Sequence, residues 1–345
     1  LVQQFLTGKP IGGSVGLFLI NFVIVWGLIA TWLVSPILAW WLSKPIEIIT
    51  EPDRSEDLND DQKKFLRILS RKTWRFFETF VREEDNYLPL DNYQEFPKPM
   101  YARRTSPTNI GMGLLANIAA WDFGYSTASA TVRRCGQTLA SLAKMDRYKG
   151  HFYNWYDTAN LKPLLPRYVS AVDSGNFVGH LILLRTALTQ FIDSSIIPEQ
   201  VFTGIKDNLH CITEIMERKL GPDDKRYYDE KEVQSLILSA LKEIDAAPKE
   251  LQNLSAWLSK LDATAKELVK IFATGVDNQR ASDNEEDIPE DDLLVEDAAG
   301  TRETQMLEWS QCFEQHIALI KEELDTFIPF ANLLPIPKEL LVNES

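Results

Sequence analysis

The sequence predicts an all-α protein tethered to a membrane, on three observations. Ile11 to Leu42 holds no charged residue, a run long enough to cross a hydrocarbon core as one helix. Beyond it, apolar side chains recur at helical spacing in several separate stretches, as amphipathic helices require. The earlier connections are long and rich in polar and aromatic residues, which suits layered helices.

Composition agrees. The chain has 345 residues, 45% hydrophobic and 25% charged, a globular balance with room for about two domains. Disordered, collagen-like and disulfide-scaffold classes are excluded. Fifty acidic residues against 36 basic ones give a net charge of −14, which repels a phosphate backbone and excludes nucleic acid as the expected partner. Cys135, Cys211 and Cys312 lie far apart with no C-x-x-C pair. They signal neither a disulfide framework nor a thiolate zinc site, and are expected to be reduced, buried and inert.

The uncharged run is read as one transmembrane helix. A cleaved signal peptide would have a shorter apolar core, whereas this run continues through Trp40 and Trp41 to Lys44 and Pro45. A core helix of this length would show a polar face. The two tryptophans suit an interfacial belt, and Pro36 predicts a kink or a departure along the bilayer surface in the last turns. Lys9, Lys44 and Arg54 carry too little asymmetry to orient the helix. Leu1 is not an initiator methionine, which predicts a chain that begins within a longer protein.

Pro45 to Asp57 reads as an acidic tether. Asn59 then offers an N-cap with Asp60, Asp61 and Gln62 in the first turn. Phe65, Leu66, Leu69, Trp74, Phe77 and Phe80 or Val81 predict a helix from about Asp60 to Val81 that buries an aromatic stripe. Further helices are predicted over Thr108–Phe123, Thr131–Met145 and Gly175–Phe191. Residues 201–220, 230–246, 249–275 and 301–329 are predicted as charged-surface helices of a bundle or hairpin. Nine acidic residues without one base between Arg280 and Arg302 predict a solvated loop over 281–300. That loop lacks the D-x-D-x-D-G spacing of a calcium site.

The chemistry concentrates between Tyr87 and His180. N-Y-L-P-L-D-N-Y-Q-E at 86–95, R-R-T-S-P-T-N at 103–109, G-H-F-Y-N-W-Y-D-T at 150–158 and P-R-Y-V-S-A-V-D-S-G-N at 166–176 supply Asn, Asp, Arg, Tyr and Trp on loops leading into helices. Aromatic rings cover the apolar face of a sugar, and paired donors and acceptors satisfy its hydroxyls. A glycan cleft and a packed, buried polar network both fit these side chains. No phosphate-cradling glycine motif, H-E-x-x-H or G-x-S-x-G elbow occurs, and neither cofactor nor metal is expected. General acid or base work would fall to Glu95, Asp157 or Asp173, with no pair assigned. Asp173 reads equally as an N-cap.

T-W-R-F-F-E-T-F-V at 73–81, D-N-Y-Q-E-F-P-K-P at 91–99, R-T-S-P-T-N-I-G at 104–111, and the 150–158 and 166–181 segments resemble the central region of bacterial cyclic β-1,2-glucan synthases, in the same order. The similarity covers about Trp40 to Phe191, and W-L-S-K-P at 41–45 resembles that family's exit from its last membrane helix. Residues 201–345 carry no motif of the family.

The resemblance implies a fragment of a membrane-bound synthase, comprising one transmembrane helix, part of an (α/α)6-barrel of six-hairpin glycosidase type, and a further helical hairpin or bundle. The implied domains are 1–45, 46–200 and 201–345. The implied activity is glucan binding and cyclisation by transglycosylation. The family's polymerase motifs, phosphorylase region and two glutamate-bearing barrel segments are absent, so the catalytic residues are unknown and the chain alone is expected to be inactive. Carried over by motif membership, the substrate-binding residues are Arg104, Thr105, Asn109, Asn154, Trp155, Asp157, Arg167, Asp173, Ser174 and Asn176. The implied partners are β-1,2-glucan, the lipid bilayer and the remaining domains of the same polypeptide, at the bacterial inner membrane with the soluble part cytoplasmic. The alternative class is a membrane-tethered, non-catalytic glycan-binding or scaffold module. An incomplete barrel should also leave apolar helix faces uncovered.

Overall fold

In the computed structural model, residues 12–43, 58–94, 98–219, 225–248, 250–285 and 301–329 are described. The first helix, α1, spans Gly12–Leu42. Its stretch Phe22–Leu42 is long and apolar enough to cross a membrane, and none of it is buried. The helix continues through Pro36 to Leu42. Proline there leaves the Trp32 carbonyl without its usual N–H partner, and the Ser35 hydroxyl donates to that carbonyl at 2.8 Å. An apolar surrounding makes such replacement bonds valuable.

The chain divides into two compact units, Leu1–Leu58 and Asn59–Ser345. The second begins with α2, Asp60–Phe80, under the expected Asn59 cap. The capping box is closed by Gln62 N–H to Asn59 Oδ1 at 2.8 Å and Asn59 N–H to Gln62 Oε1 at 2.9 Å. The stripe expected to be core divides, however. Trp74 is buried, whereas Phe65, Leu66 and Leu69 are 65%, 43% and 50% exposed. The buried face instead carries Arg71, whose guanidinium lies over Trp309 and reaches Asn208. Periodicity locates a stripe along a helix, but neighbouring elements decide which face is covered.

Helices α3 (Pro107–Asp122), α4 (Ala128–Lys144) and α5 (Ala171–Phe191) follow. Ser106, Thr127 and Ser170 cap them with side-chain oxygens. Asp173 is therefore not the cap of α5; Ser170 is. Helices α3 and α5 lie side by side and parallel, with Thr108 meeting Asn176 near their starts and Gly111 facing His180 one turn later. Their common core holds Ile110, Leu114, Ile118, Cys135, Phe177 and Leu184. The opposite face of α5 leaves Val172, Val178, Ile182 and Leu183 exposed.

Short antiparallel pairs replace what reads as irregular loop: β1 (Asn92–Gln94) with β2 (Met100–Ala102), β3 (Arg104–Thr105) with β6 (Tyr156–Asp157), and β4 (Arg147–Tyr148) with β5 (His151–Phe152). Lys149 and Gly150, both at positive φ, make the two-residue turn between β4 and β5.

Helices α6 (Gln200–Glu217), α7 (Glu230–Asp245), α8 (Leu251–Glu285) and α9 (Arg302–Phe327) share a second core around Ile205, Leu209, Ile212, Leu258, Phe272, Phe313 and Ile317. Helix α8 continues through Glu285, into the stretch expected to be a solvated loop; residues 286–300 of that loop lie outside the described residues. The described fold is mostly helical, and no closed barrel forms among its helices.

Candidate functional site

The loops that precede α3 and α5 are pinned from below by buried polar groups. Asp85, 1% exposed, accepts from Arg103 Nε at 2.9 Å and Thr158 Oγ1 at 2.6 Å. Asn86 Nδ2 donates to the Thr158 carbonyl at 2.7 Å. Tyr156 is fully buried in β6; its hydroxyl donates to the Asp146 carbonyl at 2.6 Å and accepts from the Tyr153 N–H at 2.8 Å. Burial pushes this phenol up to about 12, so it stays protonated and holds the 146–157 loop closed.

On this base β3 and β6 pair Arg104 with Asp157 and Thr105 with Tyr156. Arg104 turns both Nε (3.0 Å) and Nη2 (2.9 Å) onto Oδ2 of Asp91. The other Asp91 oxygen accepts from Asn109 Nδ2 at 3.1 Å, in the first turn of α3. The Arg104 guanidinium also lies over the Trp155 indole, 4.9 Å from its centroid, the geometry of a cation–π contact. Trp155 is half-buried.

Asn154 extends the set. With its amide oxygen facing Trp155 and Tyr168, it accepts from Trp155 Nε1 at 2.9 Å and the Tyr168 hydroxyl at 2.7 Å, and its nitrogen donates to Asp173 Oδ2 at 2.9 Å. This orientation satisfies every neighbour, which is how an amide is assigned. Asp173 sits in the first turn of α5, where the helix dipole favours a carboxylate. One chain of contacts therefore runs Asn109–Asp91–Arg104–Trp155–Asn154–Asp173, from the start of α3 to the start of α5.

The remaining expected residues fall around this chain in different ways. Thr105 is fully buried, and its hydroxyl has no partner among the described residues. Asp157 spends Oδ1 on the N–H groups of Ala159 (2.8 Å) and Asn160 (3.1 Å), closing its own turn. Ser174 bonds back to the Ser170 carbonyl at 2.8 Å. Asn176 donates to Thr108 Oγ1 at 3.4 Å, joining the two helix starts. Arg167 is exposed, without a hydrogen bond or ion pair to another described residue. Glu95 lies outside the described residues.

Two residues at the centre escape the sequence reading. Asp91 is the carboxylate that organises Arg104 and Asn109, and Tyr168 is the second hydroxyl on Asn154. Both stand in the quoted motifs, Asp91 in L-D-N and Tyr168 in P-R-Y. The usable signal for Asp91 was the need of an exposed arginine and a nearby amide for one shared acceptor.

No protein-family model matches the chain. It is 40% identical over 197 residues to the cyclic beta-(1,2)-glucan synthase NdvB of Rhizobium meliloti, a match that takes in 56% of this chain. The chain spans only 7% of that relative's length. The chain is therefore a homologue of a small part of a cyclic β-(1,2)-glucan synthase.

Proposed function

We propose that the Asn109–Asp91–Arg104–Trp155–Asn154–Asp173 constellation binds β-1,2-glucan for cyclising transglycosylation within a larger membrane-bound synthase. The observation that supports it is the placement of a half-buried indole among carboxylate, guanidinium and amide groups at the starts of two parallel helices. A ring face to cover the apolar side of a glucose unit and fixed donors and acceptors for its hydroxyls are what a neutral polyol needs. Thr105, Asp157, Arg167, Ser174 and Asn176 complete the proposed surface, Arg167 as a direct ligand and the others by shaping the loops.

In this reading α2 to α5 are the first helices of an (α/α)6-barrel, since α3 and α5 run parallel as inner helices of such a barrel would. The exposed face of α5 is where further helices of the synthase would continue it. Residues 46–200 then form the glucan-processing part and 201–345 an accessory bundle. Helix α1 anchors the chain in the inner membrane, with the remainder on the cytoplasmic side. The catalytic carboxylates belong to the rest of the synthase, and this chain alone binds without turning over.

Titration calorimetry of the full chain in nanodiscs with linear β-1,2-glucan tests the proposal. Saturable heats are expected with the native chain and are lost in Trp155→Ala. Absence of heats, or heats unchanged in that variant, refutes it.

A further inference from the structure

Two members of the proposed glucan site meet across a very short ladder. Arg104 lies in β3 and Trp155 directly precedes β6, so the register that pairs Arg104 with Asp157 and Thr105 with Tyr156 carries the guanidinium to its place over the indole. A slip of one residue would turn the strand's side chains to the opposite face. Two residues per strand hold such a register weakly on their own. The next cross-strand position is closed by a third element. Arg103 and Thr158 stand opposite each other, with the Thr158 N–H donating to the Arg103 carbonyl at 3.1 Å. Their side chains end on one atom: Oδ1 of the buried Asp85 accepts from Arg103 Nε at 2.9 Å and from Thr158 Oγ1 at 2.6 Å. A slip would take one donor away from a buried carboxylate, and the cost of leaving that oxygen short of a partner opposes it.

Asp85 stands at the edge of a strained turn. It ends a one-turn 3-10 helix, Glu83–Asp85, and the next two residues, Asn86 and Tyr87, have φ of 52° and 54°. Asparagine adopts this left-handed region readily, whereas a tyrosine does so at a cost. Ser141 Oγ donates to the Asn86 carbonyl at 2.6 Å and Thr138 Oγ1 to the Tyr87 carbonyl at 2.8 Å, which ties the turn to α4. Asn86 Nδ2 donates to the carbonyls of Thr158 at 2.7 Å and Ala159 at 3.0 Å, which ties it to the end of β6. Strain that the surrounding bonds over-determine gathers at functional sites. We infer that Asp85 is a positioning residue for the glucan site: it touches no sugar, and it sets the β3–β6 register that brings Arg104 and Trp155 together. The inference rests on the glucan-binding reading and adds to it a residue outside the binding surface.

The test is calorimetry of the full chain in nanodiscs with linear β-1,2-glucan, run as a double-mutant cycle with Arg104→Ala. Asp85→Ala is expected to weaken binding about tenfold. Asp85→Asn, which keeps an acceptor oxygen for both donors, is expected to stay within about threefold of the native chain. In the Arg104→Ala background Asp85→Ala should weaken binding by less than about a further twofold, because its effect passes through the Arg104–Trp155 contact. A residue that only stabilises the fold would lower binding by the same factor in both backgrounds. Thr158→Val keeps the buried shape and removes one donor; it is expected to weaken binding about threefold, again only where Arg104 is present, and carries the test if Asp85→Ala does not fold. Equal factors in the two backgrounds, unchanged binding in Asp85→Ala and Thr158→Val, or Asp85→Asn as weak as Asp85→Ala overturns this inference and leaves the glucan reading standing. Absence of saturable heats with the native chain overturns both.

Discussion

Arg104 and Asp91 meet through two nitrogens on a single carboxylate oxygen, at 3.0 and 2.9 Å, which leaves the second oxygen to Asn109. A fork-to-fork pair would instead have engaged both oxygens. Asp91 thus fixes two candidate glucan contacts at once, and through Arg104 the face of Trp155. Asp91→Ala is expected to weaken β-1,2-glucan binding by about tenfold, or roughly 1.4 kcal/mol. The arginine side of the pair is exposed, with 53% of the Arg104 side chain accessible against 21% for Asp91, so the same change should cost about 1 kcal/mol of stability or less. Calorimetry beside urea denaturation separates the two. A large stability loss with unchanged binding would make Asp91 a folding residue.

Arg71 predicts the opposite balance. It is 2% exposed, donates to Asn208 Oδ1 at 2.8 Å and Glu78 Oε2 at 2.9 Å, and packs over Trp309. Arg71→Met keeps the apolar stem but leaves a buried Asn208 oxygen unpaired, for an expected loss of about 3 kcal/mol. Arg75, one turn on, lies 3.9 Å from the same Glu78 and is 30% exposed; Arg75→Met should cost less than about 1 kcal/mol. Equal urea midpoints for the two variants would contradict the network.

His316 gives a pH signature. It is 3% exposed, its Nδ1 lies 3.1 Å from Asn208 Nδ2, and burial, helped by the positive charge of Arg71, holds its pKa down at about 3. Asp207, salt-bridged to Arg67, acts weakly the other way. The unfolded chain binds a proton below about pH 6.5 while the folded one resists it down to about pH 3. Stability from this group is therefore complete above pH 6.5 and is lost as pH falls, by about 1.4 kcal/mol per pH unit. His316→Leu should flatten the dependence of the urea midpoint between pH 6.5 and 4. An unchanged slope would show that the imidazole is accessible in the native state.

The helices were legible because their signals are local. Asn59 with Gln62, and the apolar spacing of 201–220 and 301–329, specify a start and a period without reference to the rest of the chain. Facing was not legible for α2: Phe65, Leu66 and Leu69 form as good a stripe as Trp74 and Phe77, and only Asn208 and Trp309, more than 130 residues away, select the Arg71 side. At the candidate site, motif membership found Arg104, Asn109, Trp155, Asn154 and Asp173, which the fold connects. It did not single out Asp91, because the carboxylate that opens D-N-Y has no visible partner in the sequence until its distance to Arg104 is known. Asp157 illustrates the converse: its oxygen closes a turn that sequence alone does not distinguish from a sugar acceptor.

The last prediction sets two glycines against each other. A Cβ on Gly204 would stand 2.1 Å from the carbonyl oxygen of Gly124, and one on Gly124 would stand 2.1 Å from that of Gln200. Gly124 also sits at φ +78°, a conformation other residues adopt with strain. The turn after α3 and the first turns of α6 therefore touch backbone to backbone, with no flexible side chain to yield. Gly204→Ala should cost about 3 kcal/mol, the upper part of the overpacking range, because a whole helix or the turn must move. Gly136 has the reverse surroundings: it lies on the exposed side of α4, and nothing approaches its Cβ position within 4 Å. Gly136→Ala should stabilise by up to about 1 kcal/mol through helix propensity and a less free unfolded chain. Urea midpoints moving in opposite directions support this contact. A native-like Gly204→Ala would mean that α6 does not pack on the 124 turn, and with it would go the placement of Asp207 and Asn208 against Arg67 and Arg71.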